Sequence, residues 1–261
     1  MSTEIRFLGV AGFEIVGGGR RILIDPFLSA SPVAPVAHED LETPDVILVS
    51  HAAFDHLGDT AAIALRTGAP VVCGADVRIA LLAEGVPGEQ VRATTWGLVV
   101  ELDGLAIRPV ECHHWSMATL PDGRQVTGTP IAFIVEPEPG VRIYHYGDTA
   151  IFDMSLFGEL YRPTVGLIGC SQPQELLAGV PGPGRLITGE LTPDEAGRVA
   201  EMLGVELAVA CHYLEHNEDV DAFVTAVARH DTTGTRRVAT PRVGEVIVVE
   251  PSPATAAGSV A

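Results

Sequence analysis

A chain of 261 residues with 47% apolar content can bury one large core or two small ones, and most of it cannot be disordered. The formal net charge is −18 and all 16 basic residues are arginines, a surface that repels polyanions and argues against a nucleic-acid partner. No apolar run approaches the ~20 residues that span a bilayer, and the opening MSTEIRF lacks the basic-then-apolar order of an export signal. The expectation is a cytoplasmic protein with no membrane partner, in which Cys73, Cys112, Cys170 and Cys211 are reduced thiols.

Taken in order, residues 4–8, 13–16 and 21–25 read as three short strands separated by glycine turns, a meander opening an antiparallel sheet. Residues 28–44, rich in Ser, Pro, Ala and acid, have no period and form a loop long enough to be a lid or a plain surface excursion. Val46–Val49 is a short, uncharged, β-branched run and reads as a buried strand. Helical spacing at 60–67 and 76–84, with Val71-Val72 between, gives a βαβ-like alternation. More strands follow at 91–110, with a hairpin turn at Asp122-Gly123 and strands at 131–135, 141–146 and 165–168.

The segment 171–186 is Pro/Gly-rich and is expected on a pocket rim. A helix over 192–203 carries the strongest signals: Thr192 as cap, Pro193 in the first turn, Glu195 completing a capping box, and Gly204 after its end. Strand 206–211 precedes a helix near 219–229, and 245–249 is the last strand. Without repeats or a linker, residues 1–250 are expected to form one domain and 251–261 a flexible tail.

The polar chemistry falls at strand ends. His51 follows the Val46–Val49 run, with Asp55 and His56 in the same loop; His113 and His114 follow a second run, Asp148 a third and His212 a fourth. Loops at the ends of neighbouring strands face one crevice, so these groups can meet there and hold a metal. Each residue alone has a blander reading, such as a satisfied core histidine or an Asp55 or Asp59 cap on the next helix. Recurrence at four strand ends favours the shared site. A dication lowers the pKa of bound water from ~15.7 towards ~7, and the resulting hydroxide would attack a carbonyl or phosphoryl centre.

The stretch His51-x-Ala53-x-Asp55-His56 resembles the His-x-His-x-Asp-His of metallo-β-lactamase-fold hydrolases, with alanine at the second histidine. The glycine-punctuated opening resembles their lactonase-like branch, and His114-Trp115-Ser116 the N-acyl-phosphatidylethanolamine phospholipase D branch. That resemblance implies an α/β, four-layer αββα sandwich. It implies a first metal position from His51, His114 and a bridging Asp148, and a second from Asp55, His56, His212 and Asp148. Asp55 is also the candidate general base, and His113 becomes a supporting or core residue. His145 packs, His38, His216 and His230 lie at the surface, and Tyr213 and Glu215 border the pocket.

The loss at Ala53 predicts one firm ion and a weaker first position; zinc, manganese and iron all suit imidazole with carboxylate. The implied activity is metal-dependent hydrolysis of a small ester, lactone or amide-like substrate. A phosphodiesterase and a non-catalytic ligand-binding relative are the rivals, and the subunit count, homo-oligomer included, is left open.

Overall fold

The computed structural model describes residues 2–172, 182–184 and 189–252. The expected tail from 253 onwards lies outside them, as does most of the expected rim, residues 173–181 and 185–188. Two seven-stranded sheets carry the architecture. The first contains β1 (Thr3–Gly9), β2 (Gly12–Gly17), β3 (Arg20–Ile24), β4 (Val46–Val49), β5 (Val71–Cys73), β6 (Val91–Ala93) and β16 (Val246–Val249), in the order β16-β1-β2-β3-β4-β5-β6. The second contains β7 (Val100–Leu102), β8 (Leu105–Val110), β11 (Ala132–Glu138), β12 (Val141–His145), β13 (Val165–Gly169), β14 (Leu207–Cys211) and β15 (Arg237–Ala239), in the order β15-β14-β13-β12-β11-β8-β7. The expected hairpin at Asp122-Gly123 is a separate ribbon, β9 (Met117–Thr119) with β10 (Gln125–Thr127).

Alternation along the strands builds the layers. On β3 and β4, Ile22, Ile24, Val46 and Leu48 enter the core shared with the second sheet, while Leu23, Ile47 and Val49 enter a core on the opposite face. That outer core is closed by helices α2 (Thr60–Thr67) and α3 (Ala75–Ala83) through Ile63, Ala64, Val77 and Leu81. Both faces of β4 are therefore buried, which is why its run carries no charge. The second sheet is covered by α5 (Pro193–Leu203) and α6 (Glu218–His230), giving helix, sheet, sheet, helix: the αββα sandwich. A Cβ on Gly197 would stand 2.7 Å from Ala226, so glycine is what lets these two helices approach.

The capping box reads as expected: Thr192 N–H donates to Glu195 at 2.8 Å and Glu195 N–H to Thr192 Oγ1 at 3.4 Å. Three elements carried too little periodicity to be expected: the single turn α1 (Phe54–Leu57), α4 (Ser155–Tyr161) and the edge strand β15. Asp59 precedes α2 but does not cap it; its carboxylate instead accepts from Leu28 N at 2.7 Å and Ser29 N at 2.9 Å, tying down the start of the 28–44 loop.

Candidate metal centre

Strands β3, β4, β12, β13 and β14 run parallel to their neighbours in part, so their C-terminal ends open on one edge of the sandwich. The residues leaving those ends supply the site: Asp25, Ser50-His51, Tyr146 to Asp148, Ser171 and His212. Asp25, Asp148 and His212 take left-handed backbone conformations, with φ of 45°, 64° and 67°. Such positions are uncommon for non-glycine residues and cluster where the chain must turn a side chain towards a task.

The geometry centres on Asp148. Its Oδ2 lies 2.8 Å from His56 Nε2, 3.3 Å from His212 Nε2 and 3.8 Å from His51 Nε2. Asp55 Oδ2 stands 4.0 Å from His212 Nε2. Three sets of donor atoms come within 4.8 Å of one another: His51, His56 and Asp148; Asp55, His56 and His212; and Asp148, Glu190 and His212. All six of these residues are buried.

Burial makes the hydrogen-bond accounting decisive. His51 Nε2, His56 Nε2 and His212 Nε2 are buried and face the Asp148 carboxylate without a well-aligned hydrogen bond, and Asp148 Oδ1 is buried without one. A buried polar atom without a hydrogen bond costs about 1–3 kcal/mol, and three imidazole nitrogens gathered around one buried carboxylate form a donor set that could hold a cation. Imidazole nitrogen and carboxylate oxygen suit a divalent ion of the zinc, manganese or iron type.

The remaining nitrogens are spoken for. His56 Nδ1 lies 2.7 Å from the fully buried Asp25 carboxylate, which also accepts from Ser50 N at 2.8 Å and Ser50 Oγ at 2.6 Å. His212 Nδ1 is 3.0 Å from the Ser171 carbonyl and 2.9 Å from the Glu190 carboxylate. His114 Nδ1 faces the Gly189 carbonyl at 2.9 Å, and its ring lies 4.9 Å from that of His51. The ligand loop is also held by its backbone: Ala52 N–H donates to Ser116 Oγ at 3.0 Å, and Ser116 in turn donates to buried Asp76.

Charge distribution follows from this packing. Burial penalises a charged Asp148, yet His212 and His56 hold its pKa well below the usual carboxylate range. Burial also opposes charging His56, but Asp148 and Asp25 outweigh it and raise the imidazole well above its ordinary value. His212 is raised in the same way, by Asp148 and Glu190 against burial. His51 goes the other way, lowered first by burial and then by His56. Glu190 is raised, mainly by burial and then by the charge on Asp148.

Five of the six expected ligands, His51, Asp55, His56, Asp148 and His212, thus meet at one place. His114 adjoins them but belongs to none of the three tight sets found among the described residues. His113 is neither core nor support: its side chain is 45% exposed, pairs with Glu111 at 2.7 Å and stacks on Phe152. Tyr213 does not border the pocket either, since its ring packs on Phe7 and its hydroxyl donates to the Pro241 carbonyl at 2.6 Å. His145 packs as expected, with Nε2 on the Ala11 carbonyl at 2.8 Å.

Asp25 and Glu190 went unmarked in the sequence. Asp25 had one usable signal, a carboxylate directly after an apolar strand and before Pro26. Glu190 had none, because it sits in an aperiodic stretch before α5.

A buried cluster of candidate metal ligands at the strand ends of an αββα sandwich points to the metallo-β-lactamase-fold class, and comparison with known proteins agrees. The sequence signature of the Beta-lactamase superfamily domain matches residues 20–213. A UPF0173 metal-dependent hydrolase of Thermococcus onnurineus is 40% identical over 212 residues, covering 81% of this chain and 84% of that protein. One from Methanopyrus kandleri is 38% identical over 212 residues, covering 80% and 84%. Among solved structures, Igni18, a metallo hydrolase of Ignicoccus hospitalis, superposes with a TM-score of 0.74 at 24% identity, covering 96% of this chain and 99% of that one. A metallo-beta-lactamase fold protein of Bacillus subtilis gives 0.66 at 16% identity, covering 95% and 99%. The chain belongs to the beta-lactamase superfamily and, within it, to the UPF0173 family.

Proposed function

We propose that this chain is a metal-dependent hydrolase of a small, uncharged ester, lactone or amide-like substrate. The observation that carries the reading is that the buried Nε2 atoms of His51, His56 and His212 gather around the Asp148 carboxylate without well-aligned hydrogen bonds. A divalent cation there supplies Lewis acidity, polarising a substrate oxygen and acidifying water. His56, His212, Asp148 and Asp55 would hold it, with His51 and His114 on the side where Ala53 removes an imidazole. Asp25 and Ser50 keep His56 facing inward. Asp55 either completes the ligand set or takes the proton that the attacking water loses.

The preference for an uncharged substrate rests on where the arginines go. Arg6 and Arg21 pair with Glu14, Arg198 and Arg229 with Asp194, and Arg236 with Glu201, and among the described residues no arginine forms an ion pair with a member of the cluster. Exposed Phe54 and Trp115 stand beside Asp55 and His114 instead, an apolar flank that suits an acyl or aryl group. The glycine-punctuated opening, which resembles the lactonase-like branch, supports the same choice, whereas His114-Trp115-Ser116 resembles a phospholipase D branch and favours the phosphodiester rival.

The test is turnover of an aryl-ester and lactone panel against bis-nitrophenyl phosphate, with and without chelator, for the wild type and Asp148→Ala. Expected is ester or lactone hydrolysis that chelation removes, zinc restores, and the folded variant lacks. Preference for the phosphodiester would reverse the substrate assignment. Ala53 favours a second reading, a non-catalytic binder, which gains if nothing turns over while a small molecule raises the melting temperature.

A further inference from the structure

The site residues form an alternating chain of acids and imidazoles. Asp25 meets His56 Nδ1 at 2.7 Å, His56 Nε2 meets Asp148 at 2.8 Å, Asp148 meets His212 Nε2 at 3.3 Å, and His212 Nδ1 meets Glu190 at 2.9 Å. Asp148 is the middle, where both Nε2 atoms converge. Asp25 and Glu190 are the two ends, each on the outer nitrogen of one imidazole. Glu190 is 7% exposed and is also contacted by the Tyr146 hydroxyl at 3.2 Å.

The residue before it repeats the contact on another ligand candidate. The Gly189 carbonyl lies 2.9 Å from His114 Nδ1. A Cβ at Gly189 would stand 3.3 Å from His114 Cε1, a tight contact that would require the ring to give by a few tenths of an ångström. Two adjacent residues thus touch the outer nitrogens of histidines that leave different strands, β8 and β14, which are separated in their sheet by β11, β12 and β13.

A neutral imidazole carries one ring proton. Where Nδ1 donates it to an acceptor, Nε2 presents its lone pair, and an anionic acceptor makes that lone pair more basic. For His212 the Ser171 carbonyl already fixes the tautomer, at 3.0 Å from Nδ1. What Glu190 adds is a carboxylate on the same nitrogen, at 2.9 Å.

We propose that Gly189-Glu190 is a clasp that orients the two histidines for metal capture, with Glu190 a positioning residue that strengthens His212 as a ligand rather than a ligand itself. It does for His212 what Asp25 does for His56. This inference rests on the metal-centre reading above.

The experiment compares wild type and Glu190→Gln, which keeps size and an acceptor oxygen but removes the charge. Zinc affinity is measured by competition with a chromophoric chelator, and ligand geometry from the visible spectrum of the cobalt-loaded protein. Expected is zinc binding about 10–100-fold weaker in E190Q, with cobalt bands unchanged in position and intensity. Wild-type affinity in E190Q overturns the clasp; shifted cobalt bands overturn it too, by making Glu190 a ligand. A wild-type protein that takes up no metal sinks the clasp and the metal-centre reading together. An independent check on the unaltered chain is the ¹⁵N spectrum of histidine-labelled, zinc-loaded protein. The proposal requires His212 protonated at Nδ1 and ligating through Nε2, and the reverse arrangement refutes it.

Discussion

Replacing Asp25 is the sharpest probe of how the fold supports the site. Its carboxylate is fully buried and serves three donors: Ser50 N at 2.8 Å, Ser50 Oγ at 2.6 Å and His56 Nδ1 at 2.7 Å. Asp25→Ala strands all three, and breaking a buried charged pair costs about 3–5 kcal/mol. Against a net stability of about 5–15 kcal/mol that loss is large. Asp25→Asn keeps one acceptor oxygen, and asparagine tolerates the left-handed backbone at φ 45°. It loses the charge-assisted contact to His56, worth about 1.5–3 kcal/mol. The assay is urea unfolding of metal-free protein, which separates the network from stabilisation by bound ion, followed by zinc competition on the asparagine variant. Expected are the ordering wild type, Asn, Ala in stability and zinc affinity about 10–100-fold lower in D25N. An alanine variant within ~0.5 kcal/mol of wild type would falsify the claim that this network carries the site.

Zinc affinity rises with pH, because His56 and His212 are raised in the metal-free protein and a cation must displace their protons. The slope of log K against pH near neutrality is about two, and a flat profile refutes the proton count. Metal-free stability follows the opposite rule. The contribution of the two raised histidines is full below ~6.5 and lost as pH rises through their raised values. That of depressed Asp148 is present above ~3.9 and lost as pH falls through its lowered value. Melting temperatures against pH, without metal, test both limbs. Gly128→Ala puts a methyl inside contact distance of the Asp76 carboxylate that holds Ser116, and should destabilise by about 1–3 kcal/mol in thermal unfolding. Thr192→Ala removes the capping box and costs about 1 kcal/mol, read from the same curves; no change would mean Pro193 alone suffices to start α5.

Much of this protein was legible from residue order because the signals are local. The charge-free run Val46–Val49 announces a strand buried on both faces, and Thr192, Pro193, Glu195 and Gly204 mark both ends of α5. Histidines and acids placed directly after apolar runs announced a metal centre, since a strand fixes the backbone from which such groups project. What residue order could not supply was the partner of each outer nitrogen. Asp25 reaches His56 across 31 positions, while Glu190 and Gly189 reach His212 and His114 from a stretch without period. It also could not distinguish His113 from His114: whether a residue after β8 faces the crevice or solvent depends on which way the chain turns there. That turn is fixed by contacts such as His113 N to Thr149 Oγ1 at 2.8 Å. Strand-forming tendency is written into neighbouring residues, whereas the second contact of a buried imidazole is decided by the two sheets closing on each other.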